Sequence, residues 1–237
     1  MDKYELTEES IKVEGKTLYR IKALTNFNDV KAGDLGGYVE SEDNLSQDGT
    51  CWVYGDAEVY DNAKIFDNAE VTGYAKVYGN ARVFNNAQVY DNAKVYEFTQ
   101  VYDNALVYGN AEVTGYAEVY GNAQVYENAW IYGKAKIFDN SHIYDKAQVH
   151  NNARIYENAK VSEDAQIFGY AEVYGNAQVY NNAWIYGKAK IFDDARVYDN
   201  VQVRGKDKVY GNAKIHNQID LENHLTKQRL IEAICNL

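Results

Sequence analysis

Along most of the chain the apolar positions keep a six-residue beat. From Val53 to Ile215 every sixth residue is valine or isoleucine, without exception. Two residues before each stands a small slot, from Cys51 to Ala213. Alanine fills 23 of these 28 slots, and the exceptions are Cys51, Thr99, Ser141, Val201 and Asp207. Apolar residues at a spacing of two mark a strand with one buried face, whereas a helix needs a period of 3.6. Next comes an aromatic residue in 22 of the 28 hexads. Gly, Asp, Asn or Glu follows in most hexads, and then usually Asn. Asn and Gly tolerate the left-handed backbone of a sharp corner. Each hexad therefore predicts one short strand and one corner, and three hexads close a triangular coil of 18 residues.

The register never slips, so no loop interrupts the coils. Stacked at the interstrand spacing of about 4.8 Å, just over nine coils make a rod roughly 45 Å long. The segment NAQVYENAWIYGKAKIFDN at 122–140 returns at 176–194 as NAQVYNNAWIYGKAKIFDD. Over the longer window, 114–140 and 168–194 agree at 24 of 27 positions. The step of 54 residues is three whole coils, so every copied side chain returns to its own face.

The two ends break the beat. A bare solenoid end exposes unpaired strand edges, which invite aggregation. Residues 4–24 alternate around Glu14-Gly15 and predict a hairpin. At the other end, HLTKQRLIEAICNL predicts a helix with Leu225, Leu230, Ile231, Ile234 and Leu237 near one face. It reads as a cap over the last coil or as a helix joining subunits. Cys235 is expected to pack there as a small apolar residue. The chain thus divides into a cap at 1–50, coils at 51–218 and a helix at 219–237.

With Val, Ile and Ala committed to the lumen, function must use the outward residues. Sorting positions by 18 gives one face with an unbroken ladder of Phe66, Phe84, Tyr102, Tyr120, Phe138, Tyr156, Tyr174, Phe192 and Tyr210. Beside it runs a mostly basic row that includes Lys64, Arg82, Lys136, Arg154, Lys190 and Lys208, and a corner column of Asn. Stacked identical side chains support one another as cross-strand neighbours, and Asn columns satisfy one another's amides. The same rings could serve as a platform for sugars, bases or a partner protein. A second, less regular face carries Trp130 and Trp184, with Tyr132 and Tyr186 in its ring slots and Tyr116 and Tyr170 at corners. Exposed tryptophans beside tyrosines are what interfaces enrich, so this face is the candidate for subunit or partner contact.

The net charge of −11 and the absence of a long basic run weigh against direct nucleic-acid binding. The start, MDKYELTEES, lacks a secretory pattern, and no stretch approaches the roughly 18 apolar residues of a membrane span. A cytoplasmic protein is expected, and two isolated cysteines make no disulfide framework. There is no Cys/His cluster for zinc, no phosphate-cradling loop and no nucleophile elbow. The corner carboxylates Asp67, Asp103, Asp139, Glu157 and Asp193 read as solvated turn residues, so no metal is expected.

The hexad is similar to that of hexapeptide-repeat proteins, whose fold is an all-β, single-stranded, left-handed parallel β-helix. The left hand comes from this resemblance alone, since general crossover rules favour the right. The irregular stretch before the coils, with Phe27-Asn28-Asp29-Val30, Gly36-Gly37-Tyr38-Val39, Asn44-Leu45-Ser46 and Cys51-Trp52-Val53-Tyr54, resembles the YdcK-like bacterial branch of that group. The resemblance implies a transferase label, an acyl-CoA donor such as acetyl-CoA, a histidine base near a subunit interface and a homo-oligomer, dimer or trimer. His142 and His150 are the candidates for that base. Neither sits on a loop excursion, and none of the four histidines, His216 and His224 included, has a carboxylate at an orienting spacing. Three readings follow. The first is a non-catalytic solenoid scaffold that binds a protein partner or itself and needs no cofactor. The second is a hexapeptide-repeat acyl- or acetyltransferase. The third is an acidic, phage- or prophage-type inhibitor that occupies a nucleic-acid-binding site.

Overall fold

A computed structural model describes residues 2–235. β1 (Tyr4–Val13) and β2 (Lys16–Ala23) form the expected antiparallel hairpin, and β3 (Leu35–Val39) pairs antiparallel with β2. Then come 28 two-residue strands, from β4 (Trp52–Val53) to β31 (Lys214–Ile215), followed by the helix α1 (Gln218–Cys235).

Every third strand lies in the same sheet, which is the geometry of a triangular coil. The A face runs from β5 (Glu58–Val59) to β29 (Gln202–Val203). The B face runs from β4 to β31. The C face runs from β6 (Lys64–Ile65) to β30 (Lys208–Val209). All pairings between coils are parallel with an 18-residue register, as in Lys136↔Arg154. The architecture is an all-β parallel solenoid, consistent with the left-handed helix that the family resemblance implies.

The two-residue rungs follow from the sequence. Val or Ile points into the lumen, and the outward residues on either side meet solvent. Every Val/Ile from Val53 to Ile215 is buried, and so is nearly every alanine slot. Backbone groups are satisfied from coil to coil, as in Phe138 N–H donating to the Ile155 carbonyl at 3.0 Å. Two hydroxyl exceptions in alanine slots bond locally. Thr99 Oγ1 donates to Tyr96 O, and Ser141 Oγ donates to Phe138 O, both at 2.8 Å.

The corners explain the acidic residues. Asp67, Asp103, Asp139 and Asp193 hold φ between 57° and 59°. Each carboxylate accepts the N–H of the matching residue one coil on, as Asp139 Oδ2 does from Glu157 N at 3.2 Å and Asp193 Oδ2 from Gly211 N at 3.0 Å. At the next position the asparagines bond in a continuous column from Asn68 through Asn176 to Asp194, at 3.0–3.3 Å per step.

Both ends are covered. β3 pairs in parallel with β5, so the hairpin extends the A-face sheet past the first coil. Gly36 and Gly37 lie where the cap meets that coil. A Cβ on Gly36 would stand 2.6 Å from both Ile21 Cγ1 and the Val53 carbonyl, and one on Gly37 would stand 2.6 Å from the Ala57 carbonyl. Tyr4 and Phe27 close the lumen edge-on against Trp52. Lys3 is buried with them. Its Nζ donates to Cys51 O at 2.9 Å and to Cys51 Sγ at 3.2 Å, and lies over the Phe27 ring. Burial lowers the Lys3 pKa and raises that of Cys51.

At the far end α1 lays Leu221 and Leu225 on the last coil. Leu230, Ile231 and Ile234 do not follow them and remain exposed, Ile234 at 70%. Leu237, expected on the same stripe, lies outside the described residues. Cys235 is exposed rather than packed, because it lies in the last turn of α1 beside the exposed Ile234 and away from Leu221 and Leu225, the apolar residues that meet the coil. Among the described residues no helix is long and apolar enough to cross a membrane.

Candidate functional site

The ring ladders are the dominant surface feature. On the C face all nine expected rings stack in one series, from Phe66–Phe84 at 4.8 Å to Phe192–Tyr210 at 5.1 Å. The centroid spacing is the rise of one coil, so the backbone sets the stack. Arg82 lies over Phe66 and Phe84, and Arg154 lies 5.5 Å from the centroid of Phe138 and 5.6 Å from that of Tyr156. Burial against these neighbours raises the phenol pKa values of Tyr120, Tyr156 and Tyr174, so their hydroxyls stay protonated at neutral pH.

The A face breaks its ladder at Thr114. Above the break, Tyr132, His150, Phe168 and Tyr186 stack at 4.4–5.0 Å. Trp130 tilts over Tyr132, and Trp184 meets Phe168 edge-on. The two tryptophans are 41% and 39% exposed, so neither is withdrawn into the ladder.

Tyr116 and Tyr170 line a shallow groove of about 570 Å³ above the C face, together with Glu118, Tyr120, Lys134, Lys136, Asn152 and Arg154. Tyr116 stacks on Phe98 at 4.8 Å and leaves its other side free. Lys134 and Asn152 fill the two rungs between the tyrosines, where a ring would otherwise continue the column. Lys136 reaches Glu118 at 2.9 Å. Arg154 and Lys134 have no ion-pair partner among the described residues. The groove is therefore cationic between two aromatic walls. Sorting by 18 already places 116, 134, 152 and 170 in one column, but it does not reveal that this corner column lines a groove over the following face.

The histidines do not converge on that groove. His150 is sandwiched in the A-face ladder, and His142 lies on the B face, edge-on to Tyr126. Burial lowers both pKa values, with Lys160 adding to the effect at His142. The pair missed in the sequence is His216–Asp220, with Nδ1 2.6 Å from Oδ2. The expectation that no histidine has a carboxylate at an orienting spacing fails there, because α1 begins between the two residues and brings i and i+4 together. The contact is local to the helix start, where Asn217 Oδ1 accepts the Asp220 N–H at 2.9 Å.

No group of three or more His, Cys, Asp or Glu that could hold a metal occurs among the described residues. The corner carboxylates are engaged as acceptors for backbone N–H groups.

Two comparisons bear on this geometry. The family described as YdcK Beta solenoid repeat matches residues 75–90 and 100–116. The "Uncharacterized acetyltransferase YdcK" of Escherichia coli (strain K12) is 42% identical over 62 residues, which is 23% of this chain and 19% of that relative. The match thus spans about a fifth of the relative's length. In repeat and fold, and over these short stretches, the chain is similar to the YdcK β-solenoid proteins.

Proposed function

We propose that this protein is a non-catalytic solenoid that binds through its ring-bearing faces, presenting aromatic and charged ladders to a protein partner or to a second copy. The observation that carries the reading is the continuity of the C face, where nine stacked rings run unbroken beside a mostly charged row. Coils that repeat without interruption extend a surface and leave no loop from which to build a closed pocket. The groove between Tyr116 and Tyr170 is open and has no histidine in its lining.

A transferase is the second reading, favoured by the relative's name and by the His216–Asp220 pair. Its donor would be acetyl-CoA, with His216 as the base that Asp220 orients. Calorimetric titration with acetyl-CoA and CoA, paired with an assay for released CoA, separates the two. The scaffold reading expects no saturable heat and no turnover. Saturable binding together with turnover that His216→Ala abolishes would replace it with the transferase.

A further inference from the structure

We propose that the C face binds the C face of a second copy of this chain, with the two rods parallel about a two-fold axis that runs along the rods. This rests on the reading of the protein as a binding solenoid and specifies its partner. On the C face the cation of a rung and the corner acid three residues later lie on opposite edges of the same strip. Lys136 is followed by Asp139, Arg154 by Glu157 and Lys190 by Asp193. No ion pair joins the two members within any of these rungs among the described residues, since Lys136 and Lys190 pair with Glu118 and Glu172 one coil below. The half-buried ring ladder runs between the two edges.

A two-fold axis along the rods places each rung opposite the same rung of the other copy and reverses left and right. In the rungs of Lys136, Arg154 and Lys190 the cation then faces the acid of its counterpart. The rungs that carry an anion in the cation slot, Glu118 and Glu172, have glycine at the corner, so no like charges meet there. An axis perpendicular to the rods would instead set cationic edge against cationic edge. Only another rod of this kind repeats its charges at the same rise, about 4.8 Å. A strip about 16 Å wide and 45 Å long offers on the order of 700 Å² per chain, close to the ~800 Å² of a standard interface. The parallel arrangement also brings the exposed Leu230, Ile231 and Ile234 of both helices to the same end.

Charge reversal with light scattering at low salt tests this. Wild type is expected as two chains, dissociating as salt screens the edges. Lys136→Glu/Arg154→Glu alone and Asp139→Lys/Glu157→Lys alone are expected as single chains. Their equimolar mixture is expected to regain the two-chain mass, because one copy is then acidic on both edges and the other basic. A melt followed by circular dichroism verifies that each variant is folded.

Cys235 is exposed and Cys51 is buried, so a spin label attached to wild type reports one site per chain. Parallel rods put the two labels near each other, and antiparallel rods separate them by about the rod length. A wild type that stays monomeric, double variants that dimerise like wild type, a mixture that stays monomeric, or a long label distance would each overturn the proposal. A monomer without acetyl-CoA turnover leaves the scaffold reading standing, whereas turnover removes that reading whatever the mass.

Discussion

His150 lies flat between Tyr132 and Phe168, with ring centroids 4.4 and 5.0 Å away and planes within 8° of parallel. It occupies a ring slot of the A-face ladder as a neutral aromatic. Burial lowers its pKa, so the unfolded chain takes up a proton before the folded one does. Its contribution to stability is complete above the unfolded value, about pH 6.5, and is lost as the pH falls below it. The melting temperature of His150→Phe should fall less than that of wild type between pH 7.5 and pH 5. An equal fall in both proteins would mean that the stacked imidazole carries no such linkage.

The lumen should distinguish methyl groups from hydroxyls. Ile155 is fully buried in mid-rod, and Ile155→Ala should cost about 2–5 kcal/mol, because the stacked coils above and below restrict collapse of the cavity. Ser141 sits in the same lumen, but its hydroxyl serves a carbonyl that the Ser141 N–H also reaches at 3.4 Å. Ser141→Ala should change stability by less than about 1 kcal/mol. Denaturant unfolding of the two variants gives both numbers.

Gly36→Ala tests the seat of the cap. A methyl 2.6 Å from Ile21 Cγ1 and from the Val53 carbonyl forces β3 off the first coil. The variant should lose protection of the β1–β3 amides in hydrogen exchange while the amides of the central coils stay protected. Uniform loss along the whole rod would contradict this division.

The asparagine column gives a matched pair. Asn122 donates to Asn140 at 3.0 Å and accepts from Asn104 at 3.2 Å. Asn182, at an equivalent slot of another corner, lies outside the bonded columns. Asn122→Ala should cost about 1–2 kcal/mol and Asn182→Ala less than about 0.5 kcal/mol. Equal costs would mean that the column adds nothing beyond local turn preference.

The lumen was legible in the sequence because it admits only one class of side chain. Val53 through Ile215 and the alanine slots repeat under a steric rule that composition exposes. The C-face ladder was legible for the same reason, since parallel register copies each residue onto its neighbour. Three features were not. Lys3 meets Cys51 across 48 positions, and no periodicity connects them. The carboxylate partner of His216 depends on where α1 begins. The groove of Tyr116 and Tyr170 depends on how corner side chains sit relative to the faces, and spacing does not encode this.

The decisive comparison is between excising one coil and excising one hexad. Removing residues 100–117 takes out 18 residues, so every face downstream keeps its alignment with the coils below. Removing residues 142–147 takes out six, so Lys136 and Arg154 move to different faces although each hexad is intact. Both chains should melt cooperatively by circular dichroism, because hexads are interchangeable within the lumen. In low salt the coil-excised chain should sediment as two copies and the hexad-excised chain as one. If the coil-excised chain is folded but monomeric, or the hexad-excised chain associates as wild type does, binding does not reside in aligned faces.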